Sequence, residues 1–116
     1  MESFLLARLA DRQSEVFAVI LLDAGHGLIE YQELFNGTID AISVYNREVV
    51  KAALTYNAKG VIAVHNHPSG CSEPSLADIG LTRRLRVALA TVEIRLVDHF
   101  IVGKTVTSFE RRGISF

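Results

Sequence analysis

The chain is predicted to be an α/β domain built on a mixed sheet, and three observations lead to that class. Two continuous apolar runs rich in β-branched residues, Val16 to Leu22 and Val61 to Val64, read as buried strands. Two other stretches, following Asn46 and Ser75, carry apolar residues at helical spacing. Several neighbouring strand segments are separated only by short turns, which join antiparallel partners, so strands and helices intermix without giving a purely parallel sheet.

Taken in order, Glu2 to Asp11 has Phe4, Leu5, Leu6 and Leu9 spaced for a short amphipathic helix packed on the body. Ala24-Gly25-His26-Gly27 follows the first strand and supplies φ-permissive residues for a hairpin turn, so Leu28 to Phe35 pairs back. Asn36-Gly37 then introduces a third strand, Thr38 to Tyr45. Asn46 is the expected N-cap of a helix whose face is Val49, Val50, Ala53 and Leu54 and which Gly60 ends. The strand Val61 to Val64 runs into His65-Asn66-His67-Pro68-Ser69-Gly70, where Pro and Gly stop it. Ser75 caps the next helix, with Leu76, Ile79, Leu81, Leu85 and Leu89 on its inner face. Thr91 to Val97 and Phe100 to Val102 read as two strands, and Gly103-Lys104 turns the chain into a last one, Thr105 to Phe109.

Length and composition narrow the function. The 116 residues suit one domain with a real core, predicted to span 1–116. A net charge of −1 argues against wholesale wrapping of nucleic acid, which needs many phosphate-neutralising Lys and Arg. The charge is uneven, however: residues 1–58 carry 4 basic and 8 acidic side chains, residues 59–116 carry 8 and 5. The single cysteine, Cys71, excludes an internal disulfide and Cys-rich zinc sites, leaving metal chemistry to four histidines. The longest apolar run is far short of the roughly 20 residues of a membrane helix, and no charged-then-apolar leader opens the chain. The expectation is a cytoplasmic protein without membrane attachment, with a homodimer left open.

The informative stretch is His65-Asn66-His67, followed eleven residues later by Asp78. Residues i and i+2 of an extended strand end share a side, so two imidazoles can converge on one ion, and the intervening loop can return a carboxylate from the next helix. Two histidines, one carboxylate and an open fourth position form a catalytic rather than structural zinc set. A bland reading competes: His-x-His can be polar loop entry, and Ser75-x-x-Asp78 scans as a capping box that uses the same carboxylate.

His65-x-His67-x7-Ser75-x2-Asp78 resembles the signature of the JAMM (MPN+ or JAB) zinc metallopeptidases, and the surrounding text is similar to the RadC branch. The likeness extends through Glu15-Val16-Phe17, Leu34-Phe35-Asn36-Gly37-Thr38, Arg47-Glu48-Val49, Asn57-Ala58 and Asp98-His99-Phe100-Ile101-Val102-Gly103. It implies an α+β three-layer fold, a curved mixed sheet flanked by helices, cytidine-deaminase-like in outline, without the N-terminal helical domain of longer RadC proteins. It also implies Zn2+ on His65, His67 and Asp78, Glu15 as the acid–base that moves the water's proton, and Ser75 as the steadier of the oxyanion. Glu30 and Glu33 are rivals to Glu15. His26 and His99 are read as solvated and structural respectively, and Cys71 as an exposed loop residue. The chain departs from the usual RadC His-Pro-Arg at Tyr45-Asn46-Arg47.

Two function classes follow. The first is a zinc hydrolase whose activated water attacks a peptide or isopeptide-type amide of a peptide-like substrate. The second is a DNA-repair-associated or non-catalytic interaction module on the same fold. Nucleic-acid binding is disfavoured by charge and by the lack of a helix-hairpin-helix or zinc-finger pattern. The letters HNH at 65–67 do not indicate the nuclease of that name, whose residues are dispersed. Arg83, Arg84 and Arg86 on the second long helix read as a solvated face.

Overall fold

A computed structural model describes residues 1–37 and 46–116 of the chain. Its elements are α1 (Glu2–Leu9), β1 (Glu15–Leu22), β2 (Leu28–Gly37), α2 (Asn46–Thr55), β3 (Gly60–Asn66), α3 (Leu76–Ala90), β4 (Arg95–Val102), β5 (Val106–Ser108) and α4 (Phe109–Arg112). The strands form one mixed sheet in the order β2-β1-β3-β4-β5, with β3 and β4 parallel and the other neighbours antiparallel. The predicted α/β class with a mixed sheet is therefore the observed one.

The inner strand β1 is apolar from Val16 to Leu22 because both of its faces are covered there. Phe17, Val19 and Leu21 pack with Val61, Ala63 and the inner faces of α2 and α3. Val16, Ala18, Ile20 and Leu22 pack with Ile62, Val64, Val102 and the α1 residues Leu5 and Leu9. Each fully buried Val, Leu, Ile or Phe among them contributes roughly 1.5–3 kcal/mol. The sheet is thus sandwiched between α1 on one side and α2 with α3 on the other.

Several local expectations change. The turn after β1 is organised by Asp23, whose Oδ1 accepts from Gly25 N and Gly27 N at 2.9 and 2.7 Å, and the left-handed residue is His26 (φ 65°), not a glycine. Helix α2 ends at Thr55 with Asn57 left-handed (φ 53°), and Gly60 opens β3 instead of closing the helix. Asn46 is the first residue of that helix. The predicted strand 91–97 starts only at Arg95, because the chain leaves α3 through a turn with Glu93 at φ 61°, and it continues unbroken through Val102. Thr105 and Phe109 fall outside β5, and Phe109 opens α4. The expected strand Thr38 to Tyr45 lies outside the described residues.

Leu76 is 87% exposed, so it does not belong to the inner face of α3. Ser75 caps the helix with both halves of a capping box, which fixes its phase so that Asp78, Leu81, Thr82, Leu85 and Leu89 turn inward. Two polar residues thus stand where the apolar pattern alone placed none.

Candidate metal centre

The centre stands where the C-terminal end of β3 meets the first turn of α3. On β3, Val61 and Ala63 face α2 and α3, so alternation puts His65 on that same side. His65 is 4% exposed, and antiparallel register sets it opposite Phe17. His67 leaves the strand but is held to β4 by its N–H, which donates to Val102 O at 2.8 Å. The loop carrying it seats on the β4–β5 turn, where Lys104 N donates to Gly70 O at 2.8 Å. A Cβ on Gly103 would lie 2.4 Å from that oxygen, so only glycine allows the approach. At the loop's far end, Arg112 holds Glu73 through two bonds of 2.7 and 3.2 Å.

Asp78 arrives at the third position of α3. Its Oδ2 accepts from Ser75 N at 2.8 Å while Ser75 Oγ accepts from Asp78 N at 3.0 Å. The same carboxylate faces both imidazoles: Oδ1 lies 3.4 Å from His65 Nδ1 and Oδ2 lies 3.2 Å from His67 Nε2. Capping and convergence on the site, which compete for Asp78 in the sequence, are both satisfied by one side chain. One ligand atom from each of His65, His67 and Asp78 falls within 4.8 Å of the others, so the three could hold a metal ion.

The hydrogen-bonding pattern tests whether a cation fits. His67 Nδ1 is 2.9 Å from Cys71 O, a carbonyl that can only accept, so Nδ1 carries the ring hydrogen in the neutral form. Nε2 then presents a lone pair to a carboxylate oxygen, and two acceptors face each other. A proton or a metal ion between them removes the conflict. The second ring, His65, has neither nitrogen hydrogen-bonded among the described residues, and both are buried. Its Nδ1 approaches Asp78 Oδ1 without hydrogen-bond geometry. Orphaned buried imidazole nitrogens beside a buried carboxylate are what a bound metal cation satisfies. Burial pushes the Asp78 carboxyl up, but the His65 imidazole and the Ser75 N–H outweigh it and hold the group well below the usual carboxylate range. It therefore offers charged oxygens at neutral pH.

Glu15 is half-buried at the start of β1, two residues before Phe17 and on the same side of the strand. It lines a cleft of about 460 Å³ with Gln13, Ser14, Gly37 and Pro68, the last of these adjacent to His67. The rival Glu33 is gripped by Arg12 through two bonds of 2.7 Å and accepts from Tyr31 Oη at 3.1 Å. Glu30 Oε1 accepts from Tyr31 N. Ser75 is exposed, and its Oγ accepts from Asp78 N, which leaves the hydroxyl hydrogen available to a ligand. His26 is exposed and Cys71 is an exposed loop thiol, as expected.

His99 is structural, as expected, and its surroundings are informative. A bulge between β3 and β4 puts Val97 and Asp98 on the α1 side and returns His99 to the α3 side, opposite Ala63. The ring is fully buried, stacks on Phe109 at 4.8 Å and meets Phe17 edge-on at 6.2 Å. Burial, reinforced by the nearby His65, pushes its pKa down to about 3. Thr82 Oγ1 lies 2.5 Å from His99 Nδ1 and donates to Asp78 O at 2.6 Å. Sequence reading missed Thr82, although its position four residues after Asp78 puts it on the same helix face. A larger cleft of about 510 Å³, between Arg86, Arg95 and Phe116, lies at the opposite end of α3.

Comparison with known proteins agrees with this architecture. A UPF0758 protein of Thioalkalivibrio sulfidiphilus is 55% identical over 111 residues, which are 96% of this chain and 50% of that protein. The UPF0758 protein of Vibrio cholerae is 56% identical over 110 residues, 95% of this chain and 70% of the relative. That of Saccharophagus degradans is 56% identical over 114 residues, 97% and 51%. The chain spans about half the length of the first and third of these curated relatives. The RadC family, described as a RadC-like JAB domain, matches residues 1–114. A mixed sheet that brings two strand-end histidines against a helix-borne aspartate, under a family match of that extent, makes the chain a member of the RadC family of JAB-like domains.

Proposed function

We propose that this chain is a zinc-dependent hydrolase of the JAMM type that cleaves a peptide or isopeptide-type amide in a peptide-like substrate. The observation that carries this reading is the pair of buried His65 nitrogens without a partner among the described residues, beside the lone-pair conflict of His67 Nε2 with Asp78 Oδ2. His65, His67 and Asp78 would hold the zinc, within one working domain over 1–116. When bound, zinc lowers the pKa of a coordinated water to about 7 and polarises the scissile carbonyl.

The remaining roles belong to the protein. Glu15 stands on the same side of β1 as the residue opposite His65, and its carboxylate takes a proton from the attacking water and returns it to the leaving amine. Ser75 keeps a hydroxyl hydrogen free of its capping bond and donates it to the oxyanion. Cys71 O fixes the His67 tautomer by accepting from Nδ1, which holds Nε2 ready as a ligand.

Metal analysis of protein purified without chelator tests the reading: about one zinc per chain is expected. Protein that stays metal-free when zinc is added would end the hydrolase reading. Glu15→Gln is expected to keep the zinc and lose hydrolysis of a peptide and isopeptide panel. Full activity in that variant would move the proton carrier elsewhere, and a zinc-loaded wild type that cleaves nothing would favour the interaction module.

A further inference from the structure

The three candidate ligands do not share one support. His65 belongs to β3 and His67 is held to β4 through Val102 O, so both are fixed by the sheet. Asp78 rides on α3, and its capping box with Ser75 orients the carboxylate only relative to its own helix. The dimension of the triangle least constrained by these contacts is the separation of α3 from the sheet.

A buried polar chain spans that separation. Thr82 and His99 both have no exposed surface. The Thr82 hydroxyl has a single hydrogen, and the Asp78 carbonyl 2.6 Å away can only accept it. His99, 2.5 Å from the same oxygen, must therefore donate through Nδ1. Donation runs from His99 Nδ1–H to Thr82 Oγ1–H to Asp78 C=O, and it ends on the residue that completes the ligand set. The ring that starts it is clamped, stacked on Phe109 of α4 and edge-on to Phe17 of β1, and Phe17 also lies 6.3 Å from the His65 ring.

Packing alone does not call for these residues. Valine has the shape of threonine, and a leucine at 99 would bring no polar atom into the core. Instead His99 leaves its Nε2 buried without a hydrogen-bond partner among the described residues, a destabilising arrangement for a residue that only fills space. We propose that His99 and Thr82 are positioning residues that tie the first turn of α3 to β4 and so set the Asp78 carboxylate against His65 and His67. The inference rests on the metal-binding reading above.

Thr82→Val removes the relay at constant shape, and Thr82→Ser restores the hydroxyl. Zinc affinity, measured by competition with a chromophoric chelator, is expected to fall about 10- to 100-fold in Thr82→Val and to stay near wild type in Thr82→Ser. The visible spectrum of the cobalt-substituted protein should shift in the valine variant only. His99→Asn, which keeps an N–H donor near the Nδ1 position, should hold zinc better than His99→Leu. Urea unfolding of each variant separates positioning from stability. A Thr82→Val protein that unfolds earlier but binds zinc with wild-type affinity and spectrum overturns the relay while leaving the metal site standing. Wild-type protein that takes up no zinc overturns both.

Discussion

Adjacent residues at the end of β3 are treated in opposite ways. Asn66 and His65 are both buried, at 1% and 4% exposure. Asn66 faces the α1 side, where its Oδ1 accepts from Val16 N at 2.5 Å and its Nδ2 donates to Ser14 O at 3.1 Å and reaches Leu9 O at 3.5 Å. His65 faces the α3 side with neither ring nitrogen bonded among the described residues. One step along a strand therefore separates a polar group completed by the protein from one left open. The two aspartates repeat the contrast. Asp98 accepts from His99 N, Glu110 N and Ser108 Oγ at 2.7, 3.0 and 2.5 Å, joining β4, β5 and α4. Asp78 takes one capping bond, from Ser75 N at 2.8 Å, and otherwise turns its oxygens toward two imidazoles. Buried polar groups that serve stability find protein partners, and those that do not mark where a ligand completes the set.

His99 falls between these cases, with Nδ1 bonded and Nε2 not, and it gives the largest expected effect. Its folded pKa of about 3 lies below the ordinary 6.5. This ring binds a proton near pH 6.5 in the unfolded chain and none until about pH 3 in the folded one. The stability it contributes is therefore complete above pH 6.5 and is lost as pH falls toward 3, on the order of 5 kcal/mol in all. Asp78, also depressed, adds a further loss only at lower pH, below the ordinary carboxyl range. Urea midpoints measured from pH 7 to pH 4 should fall steeply for the wild type and more gently for His99→Asn. Parallel curves would mean that His99 charges in the folded state, and the partly completed class would lose its member.

The second effect tests the completed side. Asn66→Ala strands the Val16 N–H and frees the Ser14 and Leu9 carbonyls, and is expected to lower unfolding free energy by about 3 kcal/mol. Zinc affinity should change by no more than a few-fold, because Asn66 points away from the ligands. A collapse of affinity with little loss of stability would erase the division between the two sides of β3.

How much of this was legible in the sequence depends on the range of the interactions. The apolar runs of β1 and β3 and the Ser75–Asp78 capping box are local patterns, and the elements they predict are present. Leu76 and the 91–97 strand misled because apolar spacing and β-branched content say nothing about helix phase or about a left-handed Glu93. Within the site, His65, His67 and Asp78 carry a recognisable spacing and do converge. Thr82–His99 and Asn66–Val16 bridge 17 and 50 positions, and such pairings have no local signature. The contrast between satisfied and orphaned groups exists only once distant segments are in contact.

The smallest expected effect is the sharpest test of that contrast. Removing a bonded buried group destabilises, but removing one whose nitrogens are unbonded deletes a desolvation penalty along with the group. Without metal, His65→Leu gives up the 3.4 Å approach to Asp78 and relieves two buried nitrogens, while a leucine of comparable size keeps contact with Phe17. These changes oppose each other, and the unfolding free energy of the metal-free protein should move by less than about 1 kcal/mol in either direction. With zinc added, the variants separate. A ligand at a thousand times its dissociation constant stabilises the wild type by about 4 kcal/mol, and His65→Leu should gain none of this. The measurement is urea unfolding of both proteins in chelator and in excess zinc. A metal-free loss as large as that of Asn66→Ala would show that His65 already serves the fold, and the open side of β3 would be open in appearance only.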